Sequence, residues 1–245
     1  MMTTTPLQPP LQPPLTVGLP LYNSAQDPAW QCSIGCLQFA GAEKKPSTDT
    51  NESDDGDDTA QSLWSASWSF ATCVLQQKKQ IVELLQGRSV VELGAGTGAG
   101  GLAVAASGMS TLVKLTDLPS NIHILEAAIR KNQHCIPETT TVEVGQLRWG
   151  AKMEREVESK FDVVLAIDCI YCHTLHDILA ATAARICKTG GRILVADEAR
   201  WSDNDKWWNE TATLHGLVLV QMIELPRHER IPRKVVLRVY RVEEK

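Results

Sequence analysis

No excess of basic residues marks this chain. Lysine and arginine number 24 against 29 aspartates and glutamates, a formal charge of −5. That balance argues against non-specific attraction to nucleic acid or to an anionic membrane, while permitting a basic target such as a lysine side chain. No apolar run approaches the roughly 18 residues of a membrane span, so no membrane partner is expected. The first residues are rich in proline and glutamine, without the basic and apolar regions of a secretory leader. The seven cysteines are odd in number and scattered, with no disulfide framework. A reducing setting, cytoplasmic or also nuclear, is therefore expected. Cys32 and Cys36 lie four apart and Cys169 and Cys172 form a C-x-x-C, but neither has a second pair at zinc spacing, so no metal is expected.

What is present suits a folded domain with an appendage. The chain has 245 residues, 43% of them hydrophobic, enough to bury a full core. Residues 6–15 repeat an LQPP unit, expected to be extended polyproline II. Such a segment is either a solvated tail or a ligand for an SH3- or WW-type groove. Residues 46–60, PSTDTNESDDGDDTA, hold too little apolar surface to offset chain entropy and read as a disordered insertion. A weak strand is expected over Ala29–Ala40. Residues 1–62 thus read as a largely disordered N-terminal region with a short strand, and 63–245 as the folded domain.

From Leu63 the pattern becomes regular. Leu63, Phe70, Val74, Ile81, Leu84 and Leu85 recur at helical spacing, which predicts one helix over Leu63–Leu85 stopped by Gly87. Strands are predicted at Ser89–Leu93, Thr111–Thr116, Thr141–Gln146, Phe161–Ile167 and Arg192–Ala196. Helices are predicted at Thr97–Ser107, Asn121–Asn132, Leu175–Lys188 and Asn204–His215. This alternation predicts right-handed crossovers and a parallel sheet. The last two strands, Leu217–Glu224 and Lys234–Val242, have no helix between them and predict a hairpin. The expected fold class is α/β, a seven-stranded Rossmann-like sheet, mostly parallel with an antiparallel C-terminal strand.

The run Ser89–Gly101, SVVELGAGTGAGG, carries the chemistry. Glycines at Gly94, Gly96 and Gly98 let the backbone turn tightly and come close to a ligand, and the helix that follows aims its free N–H groups at the same place. The loop alone also satisfies the dinucleotide pattern through Gly94, Gly96 and Ala99, so NAD and S-adenosylmethionine both stay open. The terminal hairpin favours the methyltransferase arrangement. Asp117 ends the second strand about twenty residues on, the place for a carboxylate on a ribose or for a turn before Pro119. Glu92 sits either near a cofactor ammonium or on local backbone amides. Trp149 reads either as a wall for adenine or as core. Trp64 and Trp68, four apart, share a helix face; core packing is the default, with one of them placed to roof a cofactor. Asp168 and Tyr171, past a central strand, put an acid and a phenol at the crevice where ligands bind. A carboxylate there can hold an amine. The residues between them are Cys169 and Ile170 rather than two prolines, which disfavours a nucleic-acid base as acceptor. A small-molecule acceptor, or a cofactor-bound module without turnover, are the other readings.

These motifs, V-E-L-G-A-G-T-G, T-D-L-P, L-R-W-G and F-D-V-V-L-A-I-D-C-I-Y, stand in the order and spacing of a known group. From Leu63 onward the chain resembles the methyltransferase-like 21 group of seven-β-strand protein lysine methyltransferases. The resemblance implies S-adenosylmethionine as methyl donor and a non-histone protein bearing the target lysine as partner, of chaperone or ATPase type. It implies that Trp64, Gly94, Ala95, Gly96, Asp117, Trp149 and Ile167 line the donor site, and that Asp168 and Tyr171 form a D-x-x-Y motif at the lysine entrance. Glu198 and Arg200 match an E-x-R segment on the substrate side. Ser65 departs from the group, which often carries aspartate after the first tryptophan.

Overall fold

The computed structural model describes residues 31–40, 58–151, 160–200, 204–227 and 233–243. The expectations for the Pro-rich head and most of the acidic insertion lie outside the described residues.

The expected strand over Ala29–Ala40 is a hairpin of two, β1 (Gln31–Ile34) and β2 (Leu37–Ala40). Gly35, at φ +58°, makes the turn. Ile34, Leu37 and Phe39 are buried in the main core. The hairpin is also held by Asn132, whose Oδ1 accepts from the Gln38 amide at 2.7 Å while its Nδ2 donates to the Gln38 carbonyl at 2.9 Å. Packed structure therefore begins before Leu63.

The single helix expected over Leu63–Leu85 is two, α1 (Ser65–Leu75) and α2 (Lys79–Leu85). Gln77 stands between them at φ +48°. Its N–H bonds the Val74 carbonyl and the Lys78 N–H bonds that of Cys73, the paired bonds of a Schellman stop. Glutamine takes the left-handed position that usually announces itself as glycine, so the break has no sequence signal.

Strands and helices then alternate: β3 (Ser89–Leu93), α3 (Ala99–Ser107), β4 (Leu112–Asp117), α4 (Ile122–Asn132), β5 (Thr141–Gln146), β6 (Phe161–Ile167), α5 (His176–Ile186), β7 (Cys187–Glu198), α6 (Asn204–Leu214), β8 (Leu217–Leu225) and β9 (Val235–Val242). β7 starts earlier than expected, but its register against β6 breaks between Phe161 and Val163, and Gly190 at φ +75° lies in the irregular part. The seven-stranded sheet has the order β5-β4-β3-β6-β7-β9-β8. Within this sheet β9 runs opposite to the other six strands.

Alternate side chains face two layers, as the pleat requires. Val90, Val163 and Leu165 join the core under α1, α3 and the hairpin; Val91, Leu93 and Val164 join the core under α5 and α6. The chain steps outward from β3 to β5, then crosses back to β6. Strand order reverses between β3 and β6, and a crevice opens beyond their carboxyl ends, the usual ligand position in such sheets.

Candidate active site

The glycine loop leaves β3 with the Ala95 amide bonded to the Thr116 carbonyl at 3.0 Å, which ties it to β4. Gly94 and Gly96 have φ of +61° and +54°, in the left-handed region. A Cβ on Gly94 would lie 2.9 Å from Trp149 Cζ2, and one on Gly96 3.2 Å from the Ala60 carbonyl oxygen. The backbone therefore passes directly beneath Trp149.

Two glycines that the sequence pattern did not single out decide the next layer. A Cβ on Gly100 would meet Ile167 Cδ1 at 2.3 Å, and one on Gly101 would meet Leu115 Cδ2 at 2.1 Å. Their bare backbones let the first turn of α3 settle onto Glu92, whose Oε2 accepts from the Gly101 amide at 2.7 Å. Of the two positions expected for Glu92, the structure shows the local backbone contact. Burial pushes its carboxyl up to about 8, against the Gly101 hydrogen bond and with help from the nearby Asp117 charge.

Beyond these strand ends lies a cavity of about 680 Å³. Trp64, Gly94, Ala95, Gly96, Asp117, Trp149, Ile167, Asp168 and Tyr171 all line it. Trp68 does not; it is buried in the core. Arg200 is on the wall, while Glu198 is buried behind it. Sequence reasoning missed Ser62, Asn121 and Cys169, which also line it. Cys169 had a signal, since it stands inside the motif between Asp168 and Tyr171. Ser62 had none.

Asp117 is held rigidly. Its Oδ2 accepts from the Gly96 amide at 2.7 Å, and its Oδ1 accepts from the Leu118 amide at 2.7 Å and Asn121 Nδ2 at 2.8 Å. A carboxylate has about four lone-pair sites, so three bonds leave capacity toward the cavity.

Asp168 follows β6 at φ +57°, with its amide bonded to the Ala196 carbonyl of β7 at 2.7 Å. Arg200 grips its carboxylate with both terminal nitrogens at 2.7 Å. The same guanidinium lies 5.2 Å from the centroid of the Trp64 ring and 3.5 Å from Glu198 Oε2, and Arg233 faces Glu198 Oε1 at 3.5 Å. Burial raises the Asp168 carboxyl above its ordinary range, opposed by Arg200 and reinforced by Glu198. The Cys169 thiol is 3.3 Å from the Leu93 carbonyl oxygen, and burial raises it well above the ordinary thiol range. Tyr171 is 44% exposed and stands where the cavity meets the surface.

A lysine methyltransferase family model matches residues 44–213. The chain belongs to that family. Mouse protein N-lysine methyltransferase METTL21A is 33% identical over 119 residues, covering 48% of this chain and 52% of that protein. Mouse EEF1A lysine methyltransferase 3 is 30% identical over 115 residues, covering 47% of each. Calmodulin-lysine N-methyltransferase of Arabidopsis thaliana is 30% identical over 107 residues, covering 43% of this chain and 35% of that protein. This family member thus spans about half the length, or less, of the curated relatives it matches. Among solved structures, the YcgJ protein of Bacillus subtilis superposes with a TM-score of 0.54 at 13% identity, over 72% of this chain and 99% of that one. A SAM-dependent methyltransferase of Methanosarcina mazei gives 0.53 at 14% identity, over 67% and 98%. At such identities the likeness is one of fold, the seven-stranded Rossmann-like methyltransferase fold expected from the alternating pattern.

Proposed function

We propose that this chain transfers a methyl group from S-adenosylmethionine to the ε-amine of a lysine in a protein. The observation that carries the proposal is that one cavity joins the glycine loop and Asp117 at one wall to Asp168 and Tyr171 at its mouth. The cavity fits the donor: a glycine cradle that any Cβ would fill, an anchored carboxylate with a free lone pair for a ribose hydroxyl, and aromatic walls from Trp64 and Trp149. Bound there, the donor supplies an electrophilic methyl carbon on a positively charged sulfur.

The chain's own residues do the rest. A free lysine titrates near ~10.4 and must lose its proton before it can attack. Withdrawal from water beside a positive charge favours that loss. Asp168 orients the amine through a charge-assisted hydrogen bond, and Arg200 fixes the carboxylate that does so. Tyr171 guides the aliphatic stem at the cavity mouth. Ile167 and Ala95 keep the channel apolar, and alignment within it supplies most of the rate.

For the target we propose a non-histone protein of chaperone or ATPase type, with valosin-containing protein, which the motif resemblance suggests, among the candidates. Relatives named for elongation factor and calmodulin methylation support a protein acceptor.

The test uses the full chain. Calorimetry with S-adenosylmethionine, and separately with NAD, should give heat with the first alone. Tritiated methyl donor and lysate from cells lacking this chain should yield counts that protease removes, nuclease spares, and acid hydrolysis returns as methyllysine. Asp168→Ala should abolish those counts while donor affinity falls less than threefold. Counts that survive protease, or full turnover by Asp168→Ala, would overturn the reading.

A further inference from the structure

The stretch from Asp168 to Tyr171 follows β6 without regular structure of its own, yet the proposed acceptor site needs it held to a fraction of an ångström. Its supports come one residue at a time. Asp168 is held through its amide by β7 and through its carboxylate by Arg200. Cys169 lies against the Leu93 carbonyl. At Ile170, fully buried, the carbonyl oxygen lies 3.0 Å from Nε2 of His176.

His176 opens α5 and is 2% exposed. A carbonyl oxygen only accepts, so the Nε2 facing it carries the hydrogen. Its other nitrogen, Nδ1, is buried with no hydrogen-bond partner. The ring is therefore a neutral imidazole with one donor, and that donor is spent on Ile170. Burial lowers its affinity for a second proton, with the neighbouring His173 acting in the same sense and the Ile170 bond opposing. The ring stands edge-on to Trp208, centroids 5.5 Å apart at 89°, and Trp208 stands edge-on to Tyr240 at 6.3 Å. Trp208 is fully buried and Tyr240 nearly so. The imidazole is thus clamped from behind by a rigid aromatic stack and points its single donor at the acceptor loop.

We infer that His176 is a positioning residue for methyl transfer, holding the Ile170 carbonyl so that Asp168 and Tyr171 on either side keep their places at the cavity mouth. This rests on the proposed assignment of Asp168 and Tyr171 to the acceptor side. His176 does not line the cavity; it acts on the loop at the cavity mouth. A displacement of about 1 Å at a reacting group can cost on the order of a hundredfold in rate, so one lost anchor here is a kinetic event before it is a stability event.

Two variants separate positioning from packing. His176→Phe keeps a ring against Trp208 and deletes the donor. His176→Gln gives up the ring and keeps an N–H near the same place. Packing alone ranks Phe above Gln in both thermal stability and activity. Positioning crosses the ranks: Phe melts at or above Gln yet loses at least tenfold in methyl incorporation at saturating donor, while Gln stays within threefold of wild type. Donor affinity by calorimetry should change less than twofold in both. Nitrogen-15 NMR of the wild-type imidazole should show Nε2 protonated and Nδ1 bare, and this reading needs no variant to fold and no substrate. Phe at wild-type turnover, equal losses in Phe and Gln, or an Nδ1–H tautomer would overturn the inference. A wild-type chain that binds donor and labels nothing would instead count against the proposed activity, leaving the NMR result to decide the role of His176 in the loop.

Discussion

Substituting Glu92 by glutamine should make the protein more stable as the solution becomes more alkaline, and the size of the effect follows from the burial of one carboxyl. Glu92 is 2% exposed under the first turn of α3, and its pKa rises from an ordinary 4.5 to about 8. Below the lower value both folded and unfolded chains hold the proton, and Glu92 adds no pH dependence. Between the two values the unfolded chain releases a proton that the folded chain keeps. Each pH unit in that window then removes ~1.4 kcal/mol from the stability of the folded state. Above about 8 both states are ionised and the loss has reached its limit. Glutamine has no proton to lose, nearly the same shape, and an oxygen that still accepts from the Gly101 amide at the 2.7 Å now seen. Relative to wild type, Glu92→Gln should therefore gain ~4 kcal/mol between pH 5 and pH 8. Urea unfolding without added methyl donor, at half-unit pH intervals, measures the difference directly. Two stability curves that stay parallel within about 1 kcal/mol across that range would mean that Glu92 ionises normally, and the account of α3 seated on a neutral acid would be wrong.

Gly94→Ala should cost about 1 kcal/mol of stability from the left-handed backbone alone, and its Cβ, 2.9 Å from Trp149 Cζ2, should push the indole off the loop. Calorimetry should then show donor affinity reduced at least tenfold; unchanged affinity would remove the cradle from donor binding. The buried pair of Asp197 and Arg238, 4% and 0% exposed, should behave differently under single and double substitution. Asp197→Ala should destabilise by about 3–5 kcal/mol because it takes a carboxylate away from a buried cation, whereas Asp197→Leu with Arg238→Met should cost much less. Urea midpoints that add simply across the two sites would refute the pairing argument.

What could be read from the residues follows backbone chemistry closely. Gly94, Gly96 and Gly98 are informative because a left-handed φ is costly for other residue types, so the loop appears in the sequence as itself. Gln77 occupies the same region of backbone space, held there by two hydrogen bonds to α1, and the break between α1 and α2 is invisible for that reason. The final hairpin is legible from the missing helix between β8 and β9. Its placement is only half legible: Val235, Leu237, Val239 and Tyr240 are buried, as an interior strand requires, but Arg238 among them reads as exposed until Asp197 on the neighbouring strand is known. At the site, the residues within motifs could be named in advance. Those that reach the cavity from outside the motifs, such as Ser62, could not, because tertiary packing alone brings them there. His176 is equally invisible, although it does not line the cavity: it meets the Ile170 carbonyl from five residues past Tyr171, on a different element.

The placement of β9 bears on how the chain comes together. It is made after both β7 and β8, yet it lies between them in the sheet. Until it arrives, β7 has an unmatched edge and β8 has no strand to pair with. β8 has no sheet neighbour but β9, so this half of the sheet closes only when β9 pairs with the distant β7, a long-range step that is slow by nature. During synthesis the open edge of β7 is where a holding chaperone, or a misplaced strand from another molecule, would compete with β9.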